Sequence, residues 1–136
     1  MLTCESLCKY YQSSKGMVKS LDEINLSVSK GEFLEVRGHS GSGKTTLLLT
    51  LGAMMHPTQG KVVFKGTDLY RLSRAERAIV RSSSIGFVFQ MFHLIPYLDV
   101  VCNVLAGDDG NHSGARSKSE ALLQELGLGH RLNHLP

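Results

Sequence analysis

The sequence predicts an α/β fold with a largely parallel sheet, on the basis of three observations. Segments of β character alternate with helical ones along the 136 residues, which is the order that parallel sheets require. A glycine-rich segment, Gly38–Thr45, lies between a β-prone segment and an apolar helical one. Ile85–Phe89 is a continuous apolar run of strand length, as in strands buried on both faces. A single domain is expected, because the length suits one hydrophobic core.

The first third of the chain is predicted to be β structure. Partial alternation of polar and apolar residues covers Leu2–Lys9 and Lys19–Val28. Glu32–Arg37 is a short β-prone segment that leads into the glycine-rich segment, and Gly60–Lys65 is a further strand. Within Glu32–Arg37, the side chains of residues 35 and 37 share one face, where a buried parallel strand would prefer apolar residues. Either a mutual ion pair between Glu35 and Arg37 or ion pairs with residues of other strands would account for them.

Helices are predicted after the glycine-rich segment and in the second half of the chain. The first is apolar and is stopped by His56-Pro57. Ser73, followed three residues later by Glu76, forms a capping box that opens the second. Gly127 is expected to cap the last helix, and the turn-rich stretch 107–114 to join the last two. The predicted ranges are Thr45–Met55, Arg74–Arg81, Tyr97–Ala106 and Ser117–Leu126.

Composition excludes several classes of protein. Hydrophobic residues make up 42% and charged residues 20%, so global disorder is not expected. The apolar runs are too short to cross a membrane, and no charged segment followed by an apolar one opens the chain, so the cytosol is the expected compartment. Cys4 and Cys8 have no second ligand pair to complete a metal site, and all three cysteines, Cys102 included, are expected to be inert thiols.

The net charge of +3 is mild, and the basic residues are scattered. Four arginines after the glycine-rich segment have near-helical spacing: Arg71, Arg74, Arg77 and Arg81. They form either a solvated helix face or a stripe that binds nucleic acid, and the first interpretation is favoured because solvated faces are the commoner use of such spacing.

The glycine-rich segment matches the phosphate-binding pattern G-x-x-x-x-G-K-[ST]. Its glycines let backbone N–H groups surround one phosphate, while the following helix directs its dipole at the same anion. Lys44 is a cation for the β and γ phosphates, the Thr45 hydroxyl is a ligand for Mg²⁺, and Thr46 donates near the α-phosphate. The alternative is a flexible loop that binds nothing. The residues expected to bind the nucleotide are Gly38, Ser40, Gly41, Ser42, Gly43, Lys44, Thr45 and Thr46.

Three further segments make the chain resemble the ATP-binding subunits of ATP-binding-cassette (ABC) transporters. They are Gly31-Glu32-Phe33 before the loop, Pro57–Val62 after the first helix, and Ile85-Gly86-Phe87-Val88-Phe89-Gln90. The string IGFVFQMFHLIPYLDVVCNV looks like the subgroup that powers lipoprotein-release and macrolide-efflux exporters. The resemblance covers the whole chain. It implies a P-loop NTPase core of the ABC ATPase type, truncated, with an N-terminal antiparallel β portion, so that residues 1–136 are a partial nucleotide-binding domain.

The resemblance also implies roles for single residues. Tyr11 matches the aromatic residue that stacks on adenine, with Tyr10 as the competing candidate and an ordinary strand aromatic as the plain alternative. Gln90 matches a glutamine that ligates Mg²⁺ and orients the attacking water, which makes Lys44 and Gln90 the expected catalytic residues and Thr45 and Gln90 the metal ligands. Met91–Tyr97 either contacts membrane-spanning permease subunits or packs internally.

The implied function is ATP binding by a transporter subunit that dimerises with a second copy, at the cytoplasmic face of the membrane, with no nucleic acid as partner. The 136 residues end before the family's signature, Walker B, D-loop and switch-histidine motifs. The expectation is therefore a fragment, a truncated product or a portion of a longer chain. A nucleotide-binding remnant without hydrolytic activity and another P-loop phosphotransferase are the alternatives.

Overall fold

The computed structural model describes residues 1–14, 16–107 and 114–136, which divide into two compact units, Met1–Ile85 and Gly86–Pro136. The first unit contains a four-stranded sheet in the order β2-β1-β3-β4. Its strands are β1 (Leu2–Ser13), β2 (Gly16–Val28), β3 (Gln59–Phe64) and β4 (Thr67–Asp68). The helices described in this unit are α1 (Lys44–Leu51) and α2 (Arg74–Ser84).

Every ladder among the described residues is antiparallel, so the expected parallel sheet is not formed there. The N-terminal β portion is confirmed, with β1 pairing both β2 and β3. Residues 32–37 and 85–89, expected as parallel strands, form no ladder within the described ranges. A ladder requires a partner strand in register, and neither segment is paired in this way with a described segment, although Val36 packs against the core. Glu35 and Arg37 are consequently exposed, and they form the mutual ion pair, with Arg37 Nε 2.7 Å from Glu35 Oε1.

The core of the first unit lies between the sheet and α1. Leu7 of β1 and Leu21 of β2 pack with Leu47 and Leu51 of α1, and Val62 of β3 is fully buried among them. Burial of such side chains contributes roughly 1.5–3 kcal/mol each, which fixes α1 against the sheet. The start of α1, and with it the glycine-rich loop, is thereby held beside β2.

The helix boundaries differ from prediction where local capping decides them. The first helix ends at Leu51 and not Met55, because Gly52 caps it and Ala53 adopts a left-handed conformation with φ 60°. The capping box at the start of α2 is confirmed. Glu76 N donates to Ser73 Oγ at 3.3 Å, and Ser73 N donates to the Glu76 carboxylate at 2.8 Å. These bonds to Ser73 hold the pKa of Glu76 below its usual value.

The second unit contains α3 (Val100–Leu105), α4 (Ala115–Glu125) and a 3₁₀ turn at Gly129–Arg131. The start of α3 is set by Asp99, whose carboxylate accepts from Cys102 N at 2.7 Å, so the predicted start at Tyr97 is wrong by three positions. Gly127, with φ 74°, ends α4 as predicted. The predicted turn 107–114 lies mostly outside the described residues. No helix in the described ranges is both long and apolar enough to cross a membrane.

Candidate phosphate-binding site

The loop that joins the Glu32–Arg37 segment to α1 is shaped by its glycines. Gly43 is the residue before α1 and adopts a left-handed conformation, φ 90° and ψ 2°. A Cβ atom at this position would overlap the backbone carbonyl of Ser20 in β2. At Gly38, a Cβ would lie 2.6 Å from the hydroxyl of Ser42. At Gly43 the overlap is with backbone, so only glycine fits there, whereas at Gly38 the nearest atom belongs to a side chain that can rotate away. The backbone N–H groups at the start of α1 follow directly on this loop.

Lys44 lies across this loop. Its ammonium donates to the carbonyl oxygens of Gly38 at 2.8 Å and His39 at 2.7 Å, and it lies 3.5 Å from Ser42 Oγ. The cation is therefore held at the centre of the loop, within reach of anything that binds there. The first turn of α1 carries no acidic side chain, so no carboxylate competes for the positive end of the helix.

Hydroxyl groups occupy the first turn of α1. Thr45 is exposed, whereas Thr46 is half-buried and its Oγ1 lies 2.9 Å from the hydroxyl of Ser20, which donates to it. Ser20 thus connects β2 to α1 through its side chain, and its backbone carbonyl lies close to Gly43 of the loop. Its part in the site was not predicted, because a lone serine in a strand carries no sequence signal. A cavity of about 350 Å³ lies here, between β2 and the loop, with Lys44 and Ser42 in its wall.

The two candidate tyrosines have different surroundings. Tyr11 pairs with Val18 of β2, two residues from Ser20; its ring lies under the Lys9 ammonium at 5.2 Å, and its hydroxyl is 2.9 Å from the sulfur of Met55. Tyr11 is exposed, as a stacking platform for a base requires.

Tyr10 pairs with Lys19 and donates its hydroxyl to Asp22 at 2.6 Å. That bond raises the pKa of Tyr10 and, together with Lys19, lowers the pKa of Asp22. Lys19 and Asp22 line the cavity beside the loop. Both tyrosines therefore remain candidates from their positions, and the greater exposure of the Tyr11 ring favours Tyr11.

Gln90 lies in the second unit, and it is exposed in a bend that follows residues 85–89. Phe87 and Phe89 stack with ring centroids 5.6 Å apart, and His93 meets Phe89 edge-on at 5.2 Å. The segment Met91–Tyr97 is largely exposed: Phe92 is 87% and Tyr97 79% accessible, although Ile95 is half-buried and its backbone is held by Asn103. Within the part of the chain that the structure describes, the whole segment therefore does not pack internally.

The four arginines after the loop do not form a uniformly solvated helix face. Arg77 and Arg81 are half-buried, because their guanidinium groups donate to the carbonyls of Leu72 at 2.7 Å and Ala53 at 3.0 Å. Arg71 is exposed, 3.5 Å from a carboxylate oxygen of Asp68. The expectation of a solvated face is wrong for the two half-buried residues, since spacing alone does not show the carbonyls that they meet.

Comparison with known proteins identifies the architecture. The family model described as "ABC transporter" matches residues 21–136. The chain belongs to the ABC transporter family. It is 38% identical, over its whole length, to the lipoprotein-releasing system ATP-binding protein LolD of Shewanella sp. (strain MR-4). It is 39% identical to the protein of the same name from Wigglesworthia glossinidia brevipalpis.

Solved structures agree with this membership. The ABC transporter cassette MJ0796, solved as a dimer, superimposes with a TM-score of 0.89 at 33% identity, and its post-hydrolysis form bound to ADP and Pi with 0.88. All of this chain is covered in both cases, but only 62% of that cassette. Likewise, the chain spans about 60% of the length of the curated relatives. The fold is thus that of an ABC ATPase core, represented by its N-terminal portion.

Proposed function

We propose that this ABC transporter-family chain binds ATP together with Mg²⁺, as the ATP-binding part of a subunit that powers export through separate membrane proteins. The observation that carries the proposal is the loop Gly38–Thr46, with Lys44 held at its centre and the start of α1 directed into it. The names of the relatives, an ATP-binding protein of a lipoprotein-releasing system and a cassette solved with ADP and Pi, support it.

Phosphates would bind in the loop by replacing the carbonyl partners of Lys44. The ammonium now donates to two neutral oxygens, and a phosphate oxygen is a stronger acceptor because it is charged. The N–H groups at the start of α1 would donate to the same group. Gly43 lets the loop lie against β2, since a Cβ there would overlap the Ser20 carbonyl.

The proposed Mg²⁺ ligands and the proposed base-stacking residue come from different elements of the chain. The Thr45 hydroxyl, exposed on the first turn of α1, is a hard oxygen ligand for Mg²⁺, and the amide oxygen of Gln90 would be a second one. Mg²⁺ supplies charge neutralisation at the phosphates when bound. Tyr11, which pairs with Val18 of β2, would stack on adenine.

ATP hydrolysis and contacts with partner subunits are proposed for the full-length protein. In the full-length form, two copies of the subunit would bind ATP as a dimer, and the exposed Met91–Tyr97 segment would contact membrane-spanning permease subunits at the cytoplasmic face. Lys44 and Gln90 are the proposed catalytic residues of this chain, acting by orienting the γ-phosphate and the attacking water. The 136 residues on their own are proposed to bind ATP without turning it over.

Titration with a fluorescent ATP analogue in the presence of Mg²⁺ tests the proposal. Lys44→Ala should weaken binding about tenfold or more, because it removes a charge-assisted contact to phosphate. Lys30→Ala, in the turn after β2, removes the same charge outside the loop and should leave the affinity unchanged. Equal affinity of the wild-type chain and Lys44→Ala would contradict the proposed site.

A further inference from the structure

A second basic site lies in the first unit, apart from the glycine-rich loop. A cleft of about 340 Å³ is lined by one face of α2 and by the segment that follows α1. Three of its lining residues are arginines spaced i, i+3 and i+7 on α2: Arg74, Arg77 and Arg81. The other lining residues are Ala53, Met54, His56 and Tyr70. A cleft of this size suits a small ligand or the head group of a larger one.

The arginines of the cleft are not neutralised by the protein. Among the described residues, no carboxylate lies within ion-pair distance of any of the three, whereas Arg71, Arg37 and Arg116 each have one. Glu76, the acidic residue in the first turn of α2, is engaged in the capping box with Ser73. The cleft therefore contains three positive charges and no negative one.

Two of the guanidinium groups are held in place. Arg77 donates to the Leu72 carbonyl and lies over the ring of Tyr70 at 5.6 Å, and Arg81 donates to the Ala53 carbonyl. A guanidinium group has five N–H donors, so several donors of each remain for a ligand. Tyr70 is itself fixed, because its hydroxyl lies between the carbonyls of Thr50 and Met55 and shares its one proton with them. The cleft is thus preformed, with these side chains held in place before any ligand binds.

Arg74 is placed where a cation is unfavourable. It is the first residue of α2, at the positive end of the helix dipole. Because residues three apart on a helix are neighbours, it also lies next to Arg77. It is exposed, and none of its contacts with described residues is a hydrogen bond or an ion pair. An anion in the cleft would offset both the repulsion between the arginines and the unfavourable interaction of the Arg74 charge with the helix dipole.

We propose that this cleft binds a phosphate group. Phosphate fits better than a carboxylate because it carries up to two negative charges and several acceptor oxygens, which matches the forked donors of three arginines. The phosphate belongs either to a small soluble compound or to the head group of an acidic lipid. The cleft is a separate site from the glycine-rich loop, because the two share no residue and are built on different helices.

The test uses the chain with Lys44→Ala, so that phosphate bound at the glycine-rich loop does not contribute. Inorganic phosphate and pyrophosphate are titrated calorimetrically at low salt, and co-sedimentation is measured with vesicles of phosphatidylglycerol or of phosphatidylcholine alone. Arg74→Gln should weaken binding about tenfold or more, because a hydrogen-bonding charge is removed. Arg71→Gln is the matched control: it lies three residues away, removes the same charge and does not line the cleft.

The binding results distinguish a soluble phosphate compound from a lipid head group, and they support or overturn the proposal. Binding of soluble phosphate that is lost in Arg74→Gln and kept in Arg71→Gln supports a soluble ligand. The same dependence seen only with phosphatidylglycerol vesicles supports a lipid head group. Arg77→Lys, which keeps the charge but loses the fork, should also weaken binding. Equal losses in Arg71→Gln and Arg74→Gln, or no binding in any arm, would overturn the proposal.

Discussion

Replacing Gly43 by alanine should destabilise the protein more than the same change at Gly41, although both residues lie in one loop. Both have left-handed backbones, φ 90° and φ 78°, so alanine costs roughly 1–2 kcal/mol of conformational strain at either position. At Gly41 nothing lies within 4 Å of the added Cβ. At Gly43 the Cβ overlaps the carbonyl of Ser20, and the backbone that holds α1 to β2 must move.

The forced movement adds about 1–3 kcal/mol, which is typical of overpacking. The expected loss is therefore about 2–5 kcal/mol for Gly43→Ala and about 1–2 kcal/mol for Gly41→Ala. Urea unfolding, followed by circular dichroism and extrapolated linearly, measures both variants against the wild-type chain. If Gly43→Ala loses no more free energy of unfolding than Gly41→Ala, the contact between the loop and β2 is not what positions the loop.

Further predictions concern three tyrosines and the turnover of ATP. Tyr11→Ala should weaken ATP binding by roughly 1–3 kcal/mol while Tyr11→Phe is tolerated; a loss in Tyr10→Ala and none in Tyr11→Ala would move the stacking role by one residue. Burial raises the pKa of Tyr70 from 10.0 to about 12, so its contribution to stability should be complete below pH 10 and fall as the pH rises from 10 towards 12. Tyr70→Phe should reduce the alkaline loss of stability without abolishing it, because the pKa of Tyr10 is raised as well; a loss of the same size in Tyr70→Phe would contradict this assignment. The 136-residue chain alone should release no more phosphate from ATP than a Lys44→Ala control, and Lys44-dependent release at several protein concentrations would contradict this.

Much of the architecture follows from local sequence signals. The capping box at Ser73 and Glu76 and the glycine after α4 were predicted from short patterns, because such patterns act through neighbouring backbone groups. The loop Gly38–Thr45 was recognised for the same reason: its function depends on consecutive residues. Family resemblance then supplied the ABC ATPase type of core, which the solved cassettes confirm.

The remaining features depend on contacts between distant residues. Ser20 reaches the loop only because β2 packs beside α1, and no pattern around Ser20 indicates this. The apolar composition of residues 85–89 predicted a buried strand, but strand formation needs a partner that no described residue supplies. Arg77 and Arg81 were expected in solvent, and the carbonyls that hold them lie five or more residues away.

Nuclear magnetic resonance of the uniformly ¹⁵N-labelled chain, titrated with ATP and Mg²⁺, tests the central claim most directly. Binding in the glycine-rich loop should move the backbone amide signals of Gly41, Gly43 and Lys44 more than any others in the first unit, and Lys44→Ala should abolish those shifts at the same ATP concentration. The amide signals of Arg74 and Arg77 report on the second basic cleft within the same spectra. Shifts confined to the arginine cleft, with the loop signals unmoved, would show that the glycine-rich loop is not the ATP site of this chain.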